Sequence, residues 1–146
     1  MIRLATTGDA LGVLAAEAGI LGLESDYARE LVNAAFEAGG CLVHIASTDD
    51  VDGFVVTSVR SFFGRDFVRL LAVSASHQRS GIGSALLTAA ALQATTDVVF
   101  TSTNESNSAM RALLRRDNWT YSGTLTGLDA GDPELVFWRE RTILPG

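Results

Sequence analysis

The sequence predicts a mixed α/β fold, one layer of sheet covered by helices. Three observations carry that prediction. β-rich runs at residues 41–46, 53–59 and 67–73 succeed one another with turn residues between them, as the strands of an antiparallel meander do. From Gly81 the apolar period becomes helical, with Ile82, Leu86, Ala89 and Ala90 along it, and a buried-strand run at 98–102 follows, so a strand-helix-strand crossover succeeds the meander. The length, 146 residues, suits a single domain, 1–146, able to bury roughly two-thirds of its unfolded surface.

The elements read as follows. Residues 2–5 make a first strand, and Asp9 N-caps a helix with apolar residues at Leu11, Leu14, Ala18 and Leu21. The apolar run 10–23 is too short to span a membrane, carries Glu17 and lacks the flanks of a signal peptide, so it reads as a buried helix. Ser25 caps a second helix with Ala28, Val32 and Phe36 on one stripe and Tyr27 and Leu31 on the next, ended by Gly39-Gly40. In the meander, Asp49-Asp50-Val51-Asp52-Gly53 ends in the Asp-Gly pair typical of a hairpin. After the crossover, a helix over 108–116 turns Met110, Leu113 and Leu114 inward and Arg111 with Arg115 outward. Strands at 119–126 and 135–139 flank the turn Asp129-Ala130-Gly131-Asp132-Pro133.

Composition removes several functions. The basic residues are 11 Arg and no Lys, which excludes a lysine Schiff base and a Walker A phosphate loop. A net charge of −6 argues against nucleic acid and against anionic membrane surfaces as partners. Residues 1–66 hold ten Asp/Glu and four Arg, whereas 67–146 hold seven of each, so the negative surplus lies wholly in the first half. Cys41 alone forms no intramolecular disulfide, and with His44 and His77 it leaves too few soft ligands for a structural zinc, so no metal is expected. A reducing, cytoplasmic setting is the expectation. His44 in an apolar strand reads as a hydrogen-bonded structural residue and Cys41 as a small buried apolar one. Phe62-Phe63 before Gly64 reads as an apolar tip that serves a homodimer contact or an acceptor wall, or folds back onto the sheet.

The chemistry concentrates in the stretch from Leu70 to Leu87, a strand, a polar loop and a glycine-punctuated helix start. The first amides of a helix have no internal partner and sit at the positive end of its dipole, so they bind anions. Gly81 and Gly83 would let a phosphate approach the backbone, and Arg79, Ser80 and Ser84 add charge and donors. A dinucleotide fingerprint needs a third glycine where Leu86 stands, and a serine-hydrolase elbow needs Gly-x-Ser-x-Gly; both are absent. A pyrophosphate loop remains.

Val73 through Leu87 resembles the acetyl-CoA loop of the GNAT superfamily of N-acetyltransferases, whose Gln/Arg-x-x-Gly-x-Gly/Ala pattern is met by Gln78, Gly81 and Gly83. Ala75 departs from the proline of many members. A second block, Thr103 to Trp119, resembles that family's Asn-x-x-Ala-x-x-Leu-Tyr-x-x-x-Gly-Phe motif at Asn107, Leu113 and Trp119, with Leu114 at the usual Tyr and Asn118 at the usual Gly. The stretch from Ser122-Gly123 to Leu135 is similar to the tail of many small members. The resemblance implies a mostly antiparallel sheet of about six to seven strands, helices on both faces, and a fourth and fifth strand splayed apart.

It further implies that acetyl-CoA enters that gap as co-substrate. The backbone of Leu71, Ala72 and Val73 would bind its pantetheine, and the amides of Gln78, Arg79, Ser80, Gly81, Ile82, Gly83 and Ser84 its pyrophosphate. Asn104 and Asn107 would contact it from the other side, and Arg115 would reach a phosphate. The implied reaction is direct attack of an amine, from a small molecule or peptide, on the thioester. No carboxylate lies between Phe67 and Val73, where many members keep a base, and Leu114 lacks the phenol that protonates the thiolate, so acid and base stay unassigned. Glu105, Ser102 and Ser74 are distant candidates for carrying a proton through water, but each reads first as a solvated loop group or local cap. Glu24, Asp26, Glu30 and Glu37 border the implied acceptor pocket and suit a cationic amine, or form an ordinary solvated face. The alternative is an acyl-CoA-binding sensor or partner domain without turnover.

Overall fold

The computed structural model describes residues 1–17, 26–38 and 40–143. The readings placed on Ala18, Leu21, Glu24, Ser25 and Gly39, and on the side chains of Leu14, Asp26, Tyr27, Ala28 and Leu31, lie outside the described part. In chain order the elements are β1 (Ile2–Leu4), α1 (Ala10–Glu17), α2 (Asp26–Ala38), β2 (Cys41–Ile45), β3 (Val51–Phe62), β4 (Arg65–Val73), α3 (Ile82–Leu92), β5 (Val98–Asn104), α4 (Ser108–Arg116), β6 (Thr120–Leu125) and β7 (Glu134–Glu140). They build a seven-stranded sheet in the order β1-β2-β3-β4-β5-β7-β6. Every neighbouring pair is antiparallel except β4 with β5, which run parallel because α3 is the crossover between them.

Each face of the sheet has its own core. Leu86, Leu87, Ala90 and Ala91 of α3 and Leu114 of α4 pack with Leu42, Val55, Val68, Val99 and Phe137 on one face. Val13 and Ala16 of α1 and Val32 and Ala35 of α2 pack with Cys41, Val43, Phe54, Val56 and Ala72 on the other. Cys41 is 1% exposed, and burial pushes its thiol up to about 12, which makes it inert. His44 is structural as read, its Nδ1 lying 2.6 Å from the Asp52 carboxylate.

Two local readings need correction. Asp9 does not N-cap α1; it ends a 3-10 turn over Thr7–Asp9, where its carboxylate accepts from the Thr6 amide at 2.7 Å and from both terminal nitrogens of Arg3 at 2.7 and 3.0 Å. Gly12 seats α1 closely on β3, an added Cβ there lying 2.9 Å from Val51. Val13 and Ala16 therefore face inward while Leu11 stays 83% exposed. The first hairpin does not close at Asp52-Gly53 either. It closes earlier, over Ala46 to Asp49, with Asp49 at φ +67 and its amide donating to the Ala46 carbonyl at 3.0 Å. Gly53 is a strand residue whose added Cβ would lie 3.0 Å from Ile82 and 3.1 Å from Leu86, so it is the glycine that lets α3 cross the sheet closely.

The far end of the β3–β4 hairpin folds back. Phe62 packs on Phe67 and Phe100 with ring centroids 5.0 Å apart in both cases, while Phe63 beside it is 90% exposed. Behind this tip Asp66, 1% exposed, accepts from the Arg60 amide at 3.0 Å, the Thr95 amide at 2.7 Å and the Thr95 hydroxyl at 2.9 Å. Its own amide donates to the Thr96 hydroxyl at 3.0 Å.

Two stability measurements follow from these bonds. Asp66→Ala strands buried amide donors and is expected to cost about 3 kcal/mol in urea unfolding, with Asp66→Asn costing less because one acceptor survives. The Arg3 guanidinium holds the Asp9 carboxyl down at about 2. Against an unfolded value of about 3.9, its stabilisation is complete above that pH and is lost as pH falls toward 2. Thermal melts of Asp9→Asn should therefore lie a few degrees below wild type at pH 6 and converge with it near pH 2.

Candidate functional site

The site is built around an interruption of the sheet. β4 and β5 pair only at Asp66 with Val99, Phe67 with Phe100 and Val68 with Thr101. Beyond that, Arg69 to Val73 of β4 and Ser102 to Asn104 of β5 diverge, β4 still pairing with β3 on its outer edge and β5 with β7 on its own. The result is a V whose inner backbone groups lack strand partners. A bulge in β4 marks the vertex: Val56 faces Leu70 and Thr57 faces Val68, leaving Arg69 as the extra residue. Past the bulge, Leu71 and Val73 pack toward the α3 core and Leu70 and Ala72 toward the α1/α2 core.

At the open mouth of the V the chain turns from β4 into α3. Arg79 and Gly81 take left-handed conformations, φ +63 and +86, and bend the backbone into a concave nest. None of the amides from Gln78 to Ser84 has a backbone acceptor among the described residues. They adjoin the start of an 11-residue helix with no side-chain cap. Gly81 is the residue the conformation requires, and a Cβ there would meet nothing within 4 Å, so the approach to these amides is clear.

Gly83 does different work from the reading made of the sequence. Its added Cβ would lie 3.3 Å from Leu113 of α4, with Val73 and Leu71 next, so it lets α3 come close to α4 and β4. The loop side chains are partly committed. Gln78 donates to the Val73 carbonyl at 3.3 Å, Ser80 to that of His77, and Ser84 to Asp117 of the α4 terminus at 2.9 Å. Their backbone amides stay free.

Across the V, Asn107 is the N-cap of α4, its Oδ1 accepting from the Met110 amide at 3.1 Å. Asn104, the last residue of β5, spends its amide nitrogen on Asp129 at 2.9 Å and on the Asp132 carbonyl at 3.3 Å. Arg115 takes a place other than the one expected of it. It lines a groove with Arg111, Trp119 and Tyr121, on the flank of α4 opposite Leu113. Leu114, where the resemblance puts a tyrosine, is fully buried at 0% exposure. Asn118 takes φ +65, the left-handed conformation its place after the helix demands.

Two residues that shape the V escaped the sequence reading. Thr101, 1% exposed, donates its hydroxyl to the Val68 carbonyl at 3.0 Å and so stitches the vertex. Asp132 accepts from the Ser106 hydroxyl at 2.6 Å and amide at 3.1 Å, binding the β6–β7 loop to the turn before α4. Neither has a local signal, because each bond spans more than 20 residues of chain.

Comparison with known proteins decides the family. The model of the acetyltransferase (GNAT) family matches residues 14–118. The chain belongs to the acetyltransferase (GNAT) family. Its fold is similar to that of a GNAT-family acetyltransferase from Bacillus cereus ATCC 10987, at 26% identity and a TM-score of 0.90, with 98% of each chain covered. Ard1 from Thermoplasma volcanium matches at 19% identity and a TM-score of 0.81, again over 98% of each chain. A candidate streptothricin acetyltransferase from Bacillus anthracis, crystallised with acetyl coenzyme A, matches at 14% identity and a TM-score of 0.62, over 68% of this chain and 61% of that one. No curated protein matches. The GNAT chain is thus an acetyltransferase with acetyl-CoA as co-substrate. Among its described residues no helix is long and apolar enough to cross a membrane, and no cluster of three His, Cys, Asp or Glu is placed to hold a metal.

Thr101→Val keeps the side-chain shape and removes the stitch at the vertex. The variant is expected to lose about 1–2 kcal/mol in urea unfolding while retaining the same circular dichroism.

Proposed function

We propose that this chain transfers the acetyl group of acetyl-CoA to an amine of a small molecule or peptide, in the cytoplasm. The observation that carries the reading is the run of amides from Gln78 to Ser84 without backbone acceptors among the described residues, at the mouth of the V. A pyrophosphate accepts several N–H bonds at such a helix start. An extended amide-bearing arm lying along Leu71, Ala72 and Val73 then meets the inner edge of β4 as an added strand would. Asn107 borders it from the α4 side through the amide nitrogen that capping leaves free, and Asn104 lies at the end of the opposite arm.

The thioester comes to rest at the bulge, where a backbone amide of β4 polarises its carbonyl and stabilises the tetrahedral oxyanion. The neutral amine attacks the carbonyl carbon and forms the C–N bond, the C–S bond breaks, the proton shed by the acylated nitrogen passes to water, and the thiolate leaves without a phenol to protonate it; with a thiol pKa of about 8.5 it is a fair leaving group. The acceptor approaches over the face that carries α1 and α2. There Phe62, Phe67 and Phe100 form a half-buried aromatic floor, and Glu30 and Glu37 of α2 are exposed, which favours a cationic amine. The buried Leu114 also supports the second reading, a domain that binds acetyl-CoA without turning it over.

One set of measurements separates these. Wild type should bind acetyl-CoA in calorimetry and release free thiol with at least one member of an amine panel. Gly81→Val forces a β-branched residue into φ +86 and crowds the nest. It should weaken acetyl-CoA by about tenfold or more while costing about 1–2 kcal/mol of stability. Binding without thiol release for any amine establishes the sensor. Unchanged affinity in folded Gly81→Val removes the loop from the reading.

A further inference from the structure

The groove that takes Arg115 has no part in the site above. It has a volume of about 300 Å³, lies between α4 and the β6–β7 hairpin, and is lined by Arg111, Arg115, Trp119, Tyr121, Leu135 and Phe137. Its floor and one wall are apolar and aromatic, Tyr121 and Phe137 meeting edge to face with centroids 5.8 Å apart. Its other wall is cationic. Arg111 and Arg115 stand one helical turn apart on the same side of α4, and neither is in a salt bridge among the described residues. A helix C-terminus accounts for Arg115 and Arg116 in the last turn but not for Arg111 a turn earlier.

Arg111 gives one N–H to the Glu105 carbonyl at 2.9 Å and keeps the rest of its fork. Trp119 is 5% exposed, and its indole N–H is buried with no acceptor among the described residues. Such donors are normally satisfied. On a chain of net charge −6, two unpaired guanidiniums over an aromatic hollow select for a negative ligand against the global charge. The volume lies at the small end of ligand pockets and suits one ring with a short acid arm.

We propose that this groove is a second ligand site, for an aryl or arylalkyl carboxylate. The ring lies against Tyr121 and Phe137, and the carboxylate is held between Arg111 and Arg115. The site is independent of acetyl-CoA, because Leu113 and the α3 contact occupy the opposite flank of α4.

Phenylacetate tests it, with neutral phenylacetamide as control, read from the indole N–H resonance of Trp119 in the ¹⁵N-labelled protein. Trp138→Phe assigns the two indole signals. Phenylacetate should shift the Trp119 signal saturably and bind about tenfold or more tighter than the amide. Arg111→Gln and Arg115→Gln should each weaken phenylacetate by about tenfold, and Arg111→Gln should leave acetyl-CoA affinity unchanged. Equal response to acid and amide, no saturable shift, full phenylacetate affinity in either folded variant, or competition between phenylacetate and acetyl-CoA would each overturn the assignment. The wild-type acid-against-amide comparison needs no variant to fold, and none of these results bears on the pyrophosphate loop.

Discussion

A single buried carboxylate decides where the sheet closes and where it opens. Asp66 sits at the start of β4, almost without solvent, and a charge in that position is tolerated only if donors surround it. Those donors come from two other places in the chain, Arg60 in the β3–β4 hairpin and Thr95 in the connection from α3 to β5. Satisfying Asp66 therefore draws the beginnings of β4 and β5 together. Thr96 completes the knot by accepting from the Asp66 amide and donating to the Val98 carbonyl at 2.7 Å. With one end tied, the other end of the pair is left free, and the bulge at Arg69 turns that freedom into divergence.

An open V is costly unless its arms are braced from outside, since unpaired strand edges lose hydrogen bonds. The arms are braced. On the β4 side the Ser74 amide donates to the Asp52 carbonyl at 2.8 Å, extending the β3 pairing past the end of the strand. On the β5 side Asn104, Asp129, Asp132 and Ser106 tie the β5–α4 connection to the β6–β7 loop, and Asn107 caps α4. None of these bonds reaches into the gap. The side chains are spent on holding the walls apart, and the backbone edges between them have no strand partner.

How far this was legible in the sequence depends on the range of each interaction. The order of elements, the seven strands and the glycine turn between β4 and α3 rest on periodicity and on residues within a few positions of one another, and they were readable. Gly81 is an example: its need for a left-handed conformation is a property of the turn itself. Gly83 and Gly53 were misread because their reason lies in Leu113, Ile82 and Leu86, which are brought there by packing. Asp52-Gly53 carries the local signature of a hairpin, yet closeness of α3 to the sheet claims the glycine, and Asp49 takes the turn. Leu11 was placed inside on apolar spacing, but Gly12 is the residue that meets Val51 of β3, with Val13 and Ala16 buried beside it and Leu11 left outside. The bonds from Asp66 to Thr95, from Thr101 to Val68 and from Ser106 to Asp132 gave no signal, since each joins residues about 25 or more positions apart.

Leu114 shows how the same logic shapes the chemistry. A tyrosine at that place needs a partner for its hydroxyl and some access to the gap; Leu114 has no exposed surface and packs among α3, Val99 and Trp119. The position belongs to the core here, and α4 has become a helix with a packing face toward α3 and a cationic, aromatic face away from it. On the proposed reaction, no side chain then stands over the sulfur, and the rate must come from what remains: placement of the thioester along β4, the amide at the bulge, and the acidity of the thiol itself. Such a centre asks for rigidity rather than for acid-base groups, and rigidity at the vertex is what Asp66 and Thr101 supply.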